Sequence, residues 1–158
     1  CALAAYRANN TNGKPWSRAN RESLAVQEPV FEALFAMVAR AAEVAFGVRV
    51  VSITGRELVQ FDGDFVPPHV EPSMLSAIYW IDAAAEPKHA CGDHNGSLVL
   101  QSPVGPFGTK VLPTEERVRF IDPMPDRLLV FPSHLVHFGH VYRAPTPSVE
   151  VHFEMEIA

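Results

Sequence analysis

Between residues 29 and 46, apolar residues recur at three- and four-residue steps: Val30, Phe31, Leu34, Phe35, Val38, Ala41, Ala42 and Ala45. That spacing predicts a helix. Glu28 and Pro29 suit its first turn, and Gly47 suits its C-terminal cap. Charges are sparse along it, so most of its circumference is expected to be covered, as on a helix buttressing a sheet. After Gly47 the period changes to two. Strands are expected at 48–53, 58–61, 73–82, 97–101, 117–121, 128–131, 135–142 and 149–157. The strongest is 73–82, with Leu75, Ala77, Tyr79 and Ile81 on one side and Met74, Ser76, Ile78 and Trp80 on the other. In the last strand, apolar Val149, Val151, Phe153, Met155 and Ile157 alternate with Ser148, Glu150, His152, Glu154 and Glu156. Residues 1–26 read as a polar arm anchored by Trp16, 83–96 as a loop, and 103–113 as a Gly/Pro-rich excursion placed to act as a lid. One helix followed by many short strands predicts a mainly β fold, a double-stranded β-helix or jelly roll.

Composition narrows the classes. The 158 residues suit a single domain, 1–158, with a sizeable core. The chain opens on Cys1 rather than Met, so native residues before it are allowed for. A net charge of −5 with no basic run argues against nucleic acid as a partner. No apolar stretch is long enough to span a bilayer, and no secretory signal is recognisable. Two distant cysteines, Cys1 and Cys91, make neither a disulfide framework nor a zinc knuckle, so a cytoplasmic location is expected.

The candidate chemistry begins at His69-Val70-Glu71. In an extended segment, alternate residues face the same side, so His69 and Glu71 can address one point while Val70 turns away. A further imidazole from a distant strand would complete two histidines and one carboxylate, a set that holds Fe(II) on one face and leaves other positions open. His134, His137 and His140 repeat every three residues and all stand as candidates for that third ligand.

Three segments carry a resemblance. They are His69-Val70-Glu71-Pro72, Ser76-Ala77-Ile78-Tyr79-Trp80-Ile81, and Leu129-Val130-Phe131-Pro132-Ser133-His134-Leu135-Val136-His137. In them the chain resembles the small bacterial and phage Fe(II)/2-oxoglutarate-dependent oxygenases of the prolyl-hydroxylase-like class. The resemblance implies that His69, Glu71 and His137 ligate iron, with Glu71 one methylene longer than the commoner Asp. It also implies 2-oxoglutarate as cosubstrate, O₂ as oxidant and ascorbate as reductant. The product set would be succinate, CO₂ and a substrate hydroxylated at an unactivated C–H. That class carries an Arg on its last strand for the far carboxylate of 2-oxoglutarate, whereas the matching register here reads Ser148-Val149-Glu150. Arg143 is the first candidate to replace it, with Lys110, Arg119 and Arg127 behind. Tyr79, which shares parity with Glu71, or Trp80 should flank the cosubstrate.

Two other readings use the same barrel. A cupin-type metalloenzyme would hold the metal without 2-oxoglutarate, and a jelly-roll binding module would hold none. The expected partner is a small molecule or a peptide side chain, and a homodimer is allowed for.

Overall fold

The computed structural model of the chain describes residues 29–84, 86, 87, 89–102 and 117–158. The arm with Trp16, the lid candidate 103–113 and Lys110 lie outside them. Helix α1 runs from Pro29 to Phe46 and ends at Gly47, whose φ of 67° provides the left-handed cap. The backbone N–H of Gly47 donates to the Glu43 carbonyl at 2.9 Å, closing the last turn.

Among the described residues eight strands follow: β1 (Val50–Gln60), β2 (Val66–His69), β3 (Leu75–Asp82), β4 (Leu98–Gln101), β5 (Val118–Ile121), β6 (Leu128–Pro132), β7 (Val136–Gly139) and β8 (Ser148–Ile157). They form two four-stranded sheets, β1-β8-β3-β6 and β2-β7-β4-β5, and every pairing is antiparallel. This is the jelly roll that the pattern predicts. Among the described residues, no helix is long and apolar enough to cross a membrane.

The stretch 48–61 departs from expectation. It is one strand rather than two, because Gly55 sits inside the ladder opposite Phe153 instead of turning the chain. A Cβ at Gly55 would lie 2.8 Å from Phe35 Cζ and 3.2 Å from the Phe153 ring. Glycine therefore lets α1 approach the first sheet, where Phe35 and Phe153 meet edge to face at 5.2 Å between centroids.

Alternation along β3 and β8 divides the interior. Leu75, Ala77, Val151, Phe153 and Met155 join Val38 and Ala42 in a cluster between α1 and the first sheet. Ile78, Trp80, Leu98 and Phe131 form a second cluster that joins the first sheet to the second. The opposite face of β8 turns Ser148, Glu150 and His152 toward the second sheet, all of them buried.

Candidate metal centre

Cross-strand pairing builds the site. His69 at the end of β2 lies directly opposite His137 on β7. Their rings stand 4.2 Å apart between centroids, tilted by 53°. Glu71 follows two residues after His69, beyond the end of β2, and its N–H donates to the Ser133 carbonyl at 3.3 Å. Ligand atoms of His69, Glu71 and His137 all lie within 4.8 Å of one another. Of the three candidates for the second imidazole, only His137 stands in this group. His134 lies exposed in the turn after β6, and His140 faces His94 at 5.2 Å and Phe120 at 5.9 Å between ring centroids.

Both imidazoles are oriented the same way. Nδ1–H of His69 donates to the Pro67 carbonyl at 2.8 Å, and Nδ1–H of His137 donates to the Leu135 carbonyl at 3.0 Å. Each bond takes up Nδ1–H and turns Nε2 toward the other ligands; on His69 a metal would displace the Nε2 proton that bonds Glu71 in the metal-free chain. Nε2 of His69 is 3.3 Å from Glu71 Oε1. Ser133 steadies the turn that carries Glu71. Its hydroxyl is fully buried and bonds Ser73 Oγ at 2.9 Å and Ser76 Oγ at 2.7 Å, while its N–H donates to the Met74 carbonyl at 3.2 Å.

Burial sets the protonation states. His137 is 2% exposed, and desolvation lowers its pKa to about 4, so it is neutral near pH 7. Burial alone would raise the Glu71 carboxyl. The hydrogen bond from His69 and the charge of Arg56 outweigh it and hold that group at about 2. Its bond to Glu71 raises His69 above the usual imidazole value. Two oriented imidazoles and one ionised carboxylate are a donor set suited to a divalent transition metal, so the residues present fit iron.

Arg56 on β1 went unread in the sequence. It pairs with Glu71, and its Nη1 stands 3.7 Å from Glu154 Oε1. Together with Thr54, Glu71, His152 and Glu154 it lines a recess of ≈ 510 Å³ beside the triad. The proposed bases among the described residues, Arg143, Arg127 and Arg119, stand elsewhere. Arg143 is 64% exposed, 3.7 Å from Asp62, in a separate recess with Phe61 and Pro145. Arg127 donates to the Asp122 carbonyl at 2.8 Å, and Arg119 stands exposed on β5 opposite Leu100. The two aromatic candidates take different sides. The turn between Glu71 and Leu75 resets the alternation, so Tyr79 packs on the α1 side and donates to Asp126 Oδ1 at 2.8 Å. Trp80 is the aromatic residue that lies between the sheets.

No protein-family model matches the chain, and no curated protein matches it in sequence. Solved structures do match in fold. A prolyl-4-hydroxylase from Pseudomonas putida superposes with a TM-score of 0.60 at 15% identity, covering 84% of this chain and 68% of that one. An oxidoreductase of the 2OG-Fe(II) oxygenase family from Burkholderia pseudomallei gives 0.58 at 14% identity, covering 83% and 60%. A prolyl hydroxylase from Trichoplax adhaerens, in complex with a hypoxia-inducible-factor peptide fragment, gives 0.53 at 18% identity. It is covered over 54% of its own length and over 80% of this chain. This chain thus spans somewhat over half of the latter two structures, and it shares with all three the fold of 2OG-Fe(II) oxygenases.

Proposed function

We propose that the chain is a non-haem iron oxygenase acting on a C–H bond of a small molecule or a peptide side chain. The approach of ligand atoms of His69, Glu71 and His137 to within 4.8 Å of one another carries this reading. The fold it shares with 2OG-Fe(II) oxygenases supports it. A peptide is a reasonable candidate because one neighbour in fold holds one. Iron held by these three residues would supply activation of O₂ at the positions they leave open. The chain's own contribution is to keep His137 neutral, to orient both Nε2 atoms through backbone carbonyls, and to keep Glu71 ionised beside Arg56.

Two versions of this chemistry share the triad. One couples oxidation to 2-oxoglutarate and releases succinate and CO₂. The other oxidises substrate without that cosubstrate. Among the described residues that line the recess, the set fits the metal and offers a dicarboxylate no uncommitted base. Arg56, the one guanidinium lining the recess among the described residues, already faces Glu71 and Glu154, and Glu150 is buried behind His152. That commitment of Arg56 favours the second version.

Anaerobic loading with Fe(II) followed by nitric oxide tests the shared reading. The wild-type protein should give the high-spin iron–nitrosyl resonance, and His137→Ala should not. A wild-type protein silent in this test refutes an open iron site.

A further inference from the structure

We infer that Arg56 is a positioning residue that clamps the Glu71 carboxylate in line with the two imidazoles, a task created by the extra methylene of glutamate and not needed by an aspartate at the same place. This rests on the triad holding a metal. His69 and His137 are fixed by the pairing of β2 with β7 and by their bonds to backbone carbonyls. Glu71 lies past the end of β2, so that ladder does not extend to it. Its N–H is tied to the Ser133 carbonyl, but its side chain has three torsions, one more than an aspartate. Only some of its rotamers turn the carboxylate back toward His69 and His137, and holding one of them costs side-chain entropy.

Arg56 reaches Glu71 from the other sheet. It stands within β1, opposite His152 on β8, so the first sheet holds its backbone, whereas both imidazoles belong to the second. Its Nη2 donates to Glu71 Oε1, and its Nη1 stands 3.7 Å from Glu154 Oε1. Two carboxylates on two arms of the fork set the plane of the guanidinium. The Glu71 oxygen that Arg56 meets is the one that His69 Nε2 meets at 3.3 Å. A carboxylate oxygen has two lone pairs, and in the metal-free chain one serves His69 and the other Arg56. Loss of the His69 Nε2 proton on metal binding frees the first and leaves the second with Arg56, so Oε1 stays aimed at the imidazoles. The side chains of Glu71 and Arg56 are only 11% and 24% exposed, so water competes little for this bond.

The test uses the full chain and a cycle of two substitutions, Arg56→Met and Glu71→Asp, made singly and together. Co(II) affinity is read by competition near pH 7, with the visible cobalt spectrum as a second readout and urea unfolding to confirm that each chain is folded. With Glu71 in place, Arg56→Met should weaken Co(II) binding about tenfold or more, the scale expected for losing a hydrogen bond that orients a metal ligand, and should change the cobalt spectrum. With Asp at 71, Arg56→Met should weaken binding about threefold or less, because the shorter side chain has no use for the clamp. The inference is overturned if a folded Arg56→Met binds Co(II) as the wild type does, if Arg56→Met costs the same factor in both backgrounds, or if Glu71→Asp binds no Co(II). A wild-type protein with no cobalt spectrum at all overturns the metal reading and this inference together.

Discussion

Acid should weaken the metal-free protein through one buried imidazole. His137 has a pKa of about 4 in the folded chain against an ordinary 6.5. A histidine lowered on folding takes up its proton on unfolding, so its contribution is complete above the ordinary value and is lost as pH falls toward the folded one. The full interval is worth about 3 kcal/mol, and about 2 kcal/mol of it falls between about pH 7 and pH 5. Its neighbours act elsewhere on the scale. Glu71 titrates between 4.5 and about 2, so its loss comes at lower pH. His69 is raised above 6.5, so its bond to Glu71 stabilises at and below that value and fades as pH rises through its folded pKa. Urea unfolding of metal-free wild type and of His137→Leu, followed at both pH values, isolates the effect. The wild type should lose about 2 kcal/mol more than the variant. Equal losses would refute the claim that His137 is held neutral by burial.

Three further outcomes follow from the packing. Gly55→Val should cost about 1–3 kcal/mol by driving a side chain into Phe35 and Phe153, read as a fall in Tm, and Phe35→Leu on the same background should recover part of it. Ser133→Ala removes a buried hydroxyl that bonds Ser73 and Ser76 and should cost about 1–3 kcal/mol. Because Ser133 steadies the Glu71 turn, Co(II) affinity should fall with it, and unchanged affinity would clear Ser133 of a positioning role. Arg56→Gln removes a charge that helps hold Glu71 ionised. Co(II) affinity should then drop further near pH 5 than near pH 7, by several-fold in a competition titration.

The elements were largely legible because their periods are unmixed. The three- and four-residue steps of 29–46 and the alternation of 149–157 need no tertiary information to interpret. His69 and Glu71 were legible for the same reason, being two residues apart beside a strand. The errors arose where a local rule met a tertiary one. The gap left between 53 and 58 contains Gly55, which is the contact that admits Phe35, and reading 48–61 as two strands hid Arg56 in the middle of one. Which of Tyr79 and Trp80 faces the second sheet was not legible, because the intervening turn, tied down by Ser133, resets the alternation after Glu71. Gln60 and Glu150 could be placed on strands but not together, since their bond joins positions 90 residues apart.

The most direct test of the account is the position of a bound ion. Crystals of the full chain grown with Co(II) and measured at the cobalt edge should show one anomalous peak between His69 Nε2, His137 Nε2 and a carboxylate oxygen of Glu71. A peak absent from that point, or seated at His94 and His140 instead, would contradict the central claim.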